Sequence, residues 1–159
     1  ELERAHHRAG LPGLWAAMQR LAGLPAALRA LSGESGLSGL RVETSAMLAA
    51  YEPGIRYKCH LDARAGNPRL VTAIAYLGTD DGRAGVGAVA DTGGALRLYA
   101  DLAADGDAEP PSASRRRANF VDVAPLPGRV VIFLARRVWH EVLPPSRNRY
   151  ALTVWIPGP

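Results

Sequence analysis

The 159-residue chain has a single cysteine, Cys59, and a single lysine, Lys58. One thiol excludes an intrachain disulfide framework and suits a reducing compartment, so Cys59 is expected to be a small, partly buried packing residue. Long apolar runs are lacking as well. No stretch of about 18 hydrophobic residues occurs, so no transmembrane helix and no membrane partner are expected. The opening Glu1-Leu2-Glu3-Arg4 is charged, and no apolar stretch of signal-peptide type follows it. Its abruptness predicts a chain truncated at the N-terminus, and the expected compartment is the cytoplasm, with the nucleus added in a eukaryote.

Charge of one sign is also not concentrated. The formal net charge is +4, carried almost wholly by arginines scattered from Arg4 to Arg149. The densest run, Arg115-Arg116-Arg117, adjoins Pro110-Pro111-Ser112-Ala113-Ser114 and reads as a solvated loop. A modest preference for acidic partners follows, and nucleic acid is not an expected partner.

What is present is a short helical region followed by many short strands. Leu14, Met18, Leu21, Leu24 and Leu28 recur at spacings of three and four, which predicts a helix over Leu11 to Leu31, broken or kinked at Gly23 and Pro25. Ser32 to Gly36 reads as a linker. Apolar, turn-bounded segments then predict strands at Leu40 to Tyr51, Arg69 to Leu77, Ala95 to Ala100, Asn119 to Val123, Arg129 to Leu134 and Arg149 to Ile156. Residues 78–94 form a glycine-rich connection, long enough to suggest a functional loop. The expected fold is one domain over residues 1–159, mainly β with N-terminal helices: a sandwich or barrel over 37–159, supported by helices within 1–36.

Four histidines occur, at 6, 7, 60 and 140. In Tyr57-Lys58-Cys59-His60-Leu61-Asp62, a histidine and an aspartate stand two residues apart. On a strand end, such a pair points to one side and can reach one ion. His140 follows the apolar strand Val130 to Leu134 and is expected at a rim rather than in the core. His6 and His7, near the N-terminus, are expected at the surface. Two imidazoles and one carboxylate, with three positions left open, make the facial triad of non-haem iron oxygenases. Zinc hydrolases use similar ligands, so the donor set alone leaves the metal open.

Arg149 opens Arg149-Tyr150-Ala151-Leu152-Thr153-Val154-Trp155-Ile156. Read as a strand, one face is apolar (Tyr150, Leu152, Val154, Ile156) and the other carries Arg149, Ala151, Thr153 and Trp155. A guanidinium directed into a barrel is costly unless an anion meets it, and its planar fork matches a carboxylate. The distal carboxylate of 2-oxoglutarate is such an anion. In Leu70 to Leu77, Thr72, Ile74 and Tyr76 share one side, and the Tyr76 hydroxyl could donate to the same carboxylate, although a lone tyrosine is more often an amphipathic core residue.

Together these segments resemble the Egl-nine type of iron(II) and 2-oxoglutarate dependent dioxygenase, the hypoxia-inducible-factor prolyl hydroxylases. The similarity runs from about Met47 to Pro157 and is carried by Met47-Leu48-Ala49-Ala50-Tyr51, by Tyr57 to Asp62 and by Leu70 to Leu77. It continues through Gly93-Gly94-Ala95-Leu96-Arg97-Leu98-Tyr99, Arg136 to Val142 and Arg149 to Trp155. The resemblance implies a double-stranded β-helix (jelly-roll) with iron(II) at His60, Asp62 and His140. It implies 2-oxoglutarate held by Arg149, Tyr76 and Tyr51, and a pocket lined by Leu96, Ile74, Thr153 and Trp155. Tyr57 and Arg69 would stand at the substrate mouth, and the glycine-rich stretch would be a loop that closes over substrate. The chain departs from the pattern in three places: before Leu14, at Tyr51-Glu52-Pro53-Gly54, and after Asp62, where the usual Asn-Pro appears only as Asn67-Pro68.

The implied reaction is hydroxylation of a prolyl residue in a protein or peptide, with release of succinate and carbon dioxide, ascorbate as reductant, a monomeric enzyme and a link to oxygen sensing. Rival readings are a related oxygenase acting on a free amino acid or small molecule, a non-catalytic β-helix binding module, and a zinc hydrolase. An intact triad argues against the module, and Arg149 would have no task in a zinc hydrolase. The branch acting on alkylated nucleic acid carries a second arginine further along the last strand, where this chain has Trp155.

Overall fold

The computed structural model describes residues 12–32, 37–41, 45–79, 93–100, 109–110, 112–114 and 119–159. His6, His7, Arg115 to Arg117 and most of the glycine-rich stretch lie outside the described residues, as does most of the Ser32 to Gly36 linker. Two short helices open the described chain, α1 (Pro12–Ala22) and α2 (Leu24–Ser32). They divide at Gly23, as expected from sequence. Pro25 does not break the second helix. It stands in the first turn, where its missing N–H costs nothing.

Eight strands follow: β1 (Ser45–Tyr51), β2 (Tyr57–His60), β3 (Arg69–Thr79), β4 (Leu96–Tyr99), β5 (Phe120–Val123), β6 (Val130–Leu134), β7 (His140–Val142) and β8 (Arg149–Pro157). They form two four-stranded sheets, ordered β1-β8-β3-β6 and β2-β7-β4-β5. All the pairings between these strands are antiparallel. This is the double-stranded β-helix expected from the resemblance.

Alternation along the strands divides the interior in two. Val71, Ala73 and Ala75 of β3 and Leu152, Val154 and Ile156 of β8 point to one side of the first sheet. There they form a core with Leu21 and Leu40, against which Leu14, Leu24 and Leu28 of the helices pack. On the other side, Ile74, Tyr76, Ala151 and Phe133 meet Leu96 and Val142 of the second sheet. The space between the sheets is therefore a second core, and it is the one that carries the polar residues.

Two differences from the strand expectations have physical causes. The first strand begins at Ser45 rather than Leu40. Leu40 is buried, but its N–H closes a turn on the Leu37 carbonyl and Pro159 lies against Gly39, so this apolar residue anchors a turn. β7 is not among the expected strands, and β2 is expected only as a strand end at His60, because Tyr57-Lys58-Cys59-His60 and His140-Glu141-Val142 are short and half polar. Their mutual pairing makes them strands, with Tyr57 opposite Val142 and His60 opposite His140.

Ile156, fully buried on the helix side, is far from the polar interior. Replacing it with alanine is expected to lower unfolding free energy by about 2–5 kcal/mol, measured by chemical denaturation. Unchanged stability would remove the helix-backed core from this description.

Candidate active site

His60 closes β2 and His140 opens β7, and their pairing sets the rings side by side with centroids 4.2 Å apart. Each imidazole is oriented through Nδ1 by a backbone carbonyl two residues earlier, Lys58 O at 2.8 Å and Val138 O at 3.0 Å. That leaves both Nε2 atoms facing Asp62, 3.5 Å from Oδ1 for His60 and 3.7 Å from Oδ2 for His140. These three side chains form a cluster whose donor atoms all lie within 4.8 Å of one another. Fixing Nδ1 with a carbonyl and offering Nε2 is how metal-binding histidines are commonly held.

Two expectations about this cluster need correction. Asp62 does not lie on a strand: β2 ends at His60, and a bend beyond it carries the carboxylate back toward both rings. His140 is not at a rim. It is 3% exposed, with its ring 4.7 Å from that of Phe133, because pairing with β2 on one edge and β4 on the other draws β7 into the middle of its sheet.

Burial acts oppositely on the two charge types. It pushes the Asp62 carboxyl up, but a hydrogen bond with His60, the charge of His140 and a hydrogen bond from Thr72 outweigh it and hold the acid below its ordinary range. For His140, burial dominates and pulls the imidazole below its ordinary value, despite Asp62. An ionised carboxylate beside a neutral imidazole is the protonation state a cation needs.

A pocket of about 240 Å³ opens beside the cluster. Its wall includes Tyr51, Ile74, Leu96, Thr153 and Trp155, with Tyr57 and Arg69 toward the outside. Tyr57 is 51% exposed and lays its ring against His60. The Arg69 guanidinium stacks over the Trp155 ring at 4.0 Å.

Arg149 and Tyr76 are buried and do not line this pocket. Arg149 is 3% exposed, and its guanidinium carbon sits 4.8 Å from the Tyr51 ring and 4.9 Å from that of Tyr76. Its Nε and Nη1 and the Tyr76 hydroxyl are buried without hydrogen-bond partners. Burial raises the pKa of both phenols, opposed by the Arg149 charge, so both remain donors at neutral pH. Buried donors are rarely left unmet. The two Arg149 nitrogens, with the Tyr76 hydroxyl nearby, form a cradle for an anion, and a planar fork beside a hydroxyl suits a carboxylate.

Every sequence-derived site residue except Arg149 and Tyr76 lines this one pocket, and those two lie against Tyr51, which does, or against each other. Met47, Leu61 and Val142 also line it, and Thr72 reaches Asp62 from behind. None of these four was assigned a role from sequence. The face shared by Thr72, Ile74 and Tyr76 was visible, and it was the available signal for Thr72.

A family model described as the 2OG-Fe(II) oxygenase superfamily matches residues 46–157. Egl nine homolog 1 of Rattus norvegicus is 34% identical over 131 residues, covering 80% of this chain and 32% of that protein. The chain thus spans about a third of that relative's length. A crystal structure of a Pseudomonas putida prolyl-4-hydroxylase is 30% identical, with a TM-score of 0.63 over 90% of this chain and 66% of that one. A Trichoplax adhaerens prolyl hydroxylase, solved with a peptide of the hypoxia-inducible factor oxygen degradation domain, shares the fold at 24% identity. Its TM-score is 0.67 over 94% of this chain and 59% of that one.

The unmet guanidinium generates a prediction that needs no turnover. Arg149→Met should stabilise the ligand-free protein by something on the order of 1–4 kcal/mol, as when buried charges give way to apolar side chains. It should also remove any thermal shift caused by dicarboxylates. A destabilised variant that still responds to dicarboxylates would contradict the cradle.

Proposed function

The chain belongs to the 2OG-Fe(II) oxygenase superfamily, and on that premise we propose that it hydroxylates a prolyl residue of a protein or peptide, using iron(II) and 2-oxoglutarate. The observation that carries this reading is the unpartnered Arg149–Tyr76 cradle packed against Tyr51, which lines the same pocket as the His60–Asp62–His140 cluster. A metal triad alone suits several chemistries. A triad joined to a buried carboxylate receptor suits one that needs an acidic cosubstrate.

The donor set fits iron(II): two imidazoles and a carboxylate held below its ordinary pKa, grouped on one side. The cradle fits the far carboxylate of 2-oxoglutarate, since its donors lack partners and its walls are aromatic. Iron and 2-oxoglutarate together supply the oxidising power when bound, with dioxygen consumed and succinate and carbon dioxide released.

The chain's own residues do the rest. Arg149 and Tyr76 orient the cosubstrate from its far end, and the Tyr51 ring shields the guanidinium from water. Ile74 and Leu96 close the apolar walls, and Thr153 and Trp155 complete the lining from β8. His60 and His140 are each held through Nδ1 by a backbone carbonyl, which turns both Nε2 atoms toward the ion. Tyr57, half exposed, and Arg69, stacked on Trp155, would flank an entering prolyl side chain. We further propose ascorbate as the reductant, a monomeric enzyme in the cytoplasm, and residues 1–36 as support for a catalytic core over 37–159 in one domain. Among the described residues, no helix is long and apolar enough to cross a membrane.

Protein supplied with iron(II), ascorbate, 2-oxoglutarate and proline-containing peptides should release succinate and add one oxygen atom to a peptide, read by mass spectrometry. Neither product appearing across a broad peptide library would refute prolyl hydroxylation. His140→Ala should abolish turnover and iron binding together. Arg149→Lys should raise the 2-oxoglutarate KM roughly tenfold or more, the equivalent of one charge-assisted pair; an unaltered KM would contradict its assignment.

A further inference from the structure

We propose that Thr72 is a positioning residue for the metal centre, its hydroxyl engaging one carboxylate oxygen of Asp62 so that the other is the one offered to the ion. The inference rests on the metal-centre reading above and deepens it. Thr72 is fully buried, and its Oγ1 donates to Asp62 Oδ2 at 2.6 Å. A hydroxyl donating to a carboxylate at that distance is a strong, charge-assisted bond.

The two ends of this bond are held very differently. Thr72 sits inside β3 with a neighbour on each side, Trp155 of β8 and Phe133 of β6, and its branched side chain has few rotamers to choose from. Asp62 lies beyond the end of β2, in the connection leading to β3. Its backbone is steadied by the Ala63 N–H bond to the Ala135 carbonyl and by a 3.4 Å contact from Arg69 to its own carbonyl. Thr72 links the Asp62 carboxylate to the first sheet, while His60 and His140 approach it from the second.

The consequence is chemical. A carboxylate can hold a cation through one oxygen or both. A bidentate aspartate would occupy a position that a two-oxygen chelator and dioxygen both need. Oδ2 accepts from Thr72 and lies 3.7 Å from His140 Nε2, which leaves Oδ1, 3.5 Å from His60 Nε2, as the oxygen with both lone pairs open to the ion. Thr72 acts through Asp62 and has no assigned contact with substrate.

The test uses Co(II) as a spectroscopic probe of the full chain, with no cosubstrate. Thr72→Val keeps the shape and removes the hydroxyl. It should weaken Co(II) binding by about 10–100-fold, the usual effect of losing a residue that orients a ligand, and alter the visible d–d spectrum while circular dichroism is unchanged. Thr72→Ser should recover most of the affinity and the wild-type spectrum. Wild-type affinity and spectrum in Thr72→Val would overturn the proposal while leaving the metal centre intact, whereas failure of the wild type to bind Co(II) would overturn the metal-centre reading itself. If Thr72→Val does not fold, proton NMR of the metal-free wild type decides. A slowly exchanging Thr72 hydroxyl proton is expected, and rapid exchange with solvent would overturn the proposal.

Discussion

A one-residue slip of β8 against its neighbours would turn Arg149 toward the helices and push Leu152, Val154 and Ile156 into the pocket. The register is held on both sides, by β1 from Ser45 opposite Trp155 to Tyr51 opposite Arg149, and by β3 from Val71 opposite Ile156 to Tyr76 opposite Ala151, beyond which β3 bulges before Gly78. Because β8 is flanked by both strands, the hydrophobic core and the functional pocket are specified by the same alternation. Packing of Ile156 against the helices and burial of Arg149 between the sheets are two results of one pairing.

That pairing carries an electrostatic cost. Arg149 is held away from water with two of its nitrogens unmet, and the Tyr76 hydroxyl is unmet beside it. In a protein selected for stability alone, such a group would be replaced by an apolar one. Asp62 is treated differently, because His60, His140 and Thr72 all favour its ionised form. One half of the site thus carries balanced charge and the other an uncompensated cation, which marks the second half as the place where a charged ligand completes the protein.

Much of this was legible in the sequence, and the remainder was not for definable reasons. The alternation of Arg149 to Ile156 revealed both faces of β8, since period two is read directly from residue type. The helical division at Gly23 was readable too. The strands carrying the histidines were not, because a four-residue and a three-residue strand have no periodicity to detect and exist through pairing with each other. The same pairing explains the burial of His140, which its position after an apolar run did not suggest. Thr72 was visible as one residue of a face, but its bond to Asp62 depends on a bend that local sequence does not encode. Resemblance to a known family supplied Tyr51, Tyr57, Leu96 and Arg69, which residue chemistry alone would not have singled out.

The central claim is that the triad and the buried cradle act on one molecule. It is tested most directly by calorimetric titration of 2-oxoglutarate, without oxygen, into Mn(II)-loaded protein, metal-free protein and metal-loaded Arg149→Met. One molecule should bind each loaded wild-type chain, with affinity falling at least tenfold when either the metal or the guanidinium is removed, about the value of one charge-assisted pair. Equal affinity in all three titrations would show that metal and cradle do not share a ligand, and would contradict the account.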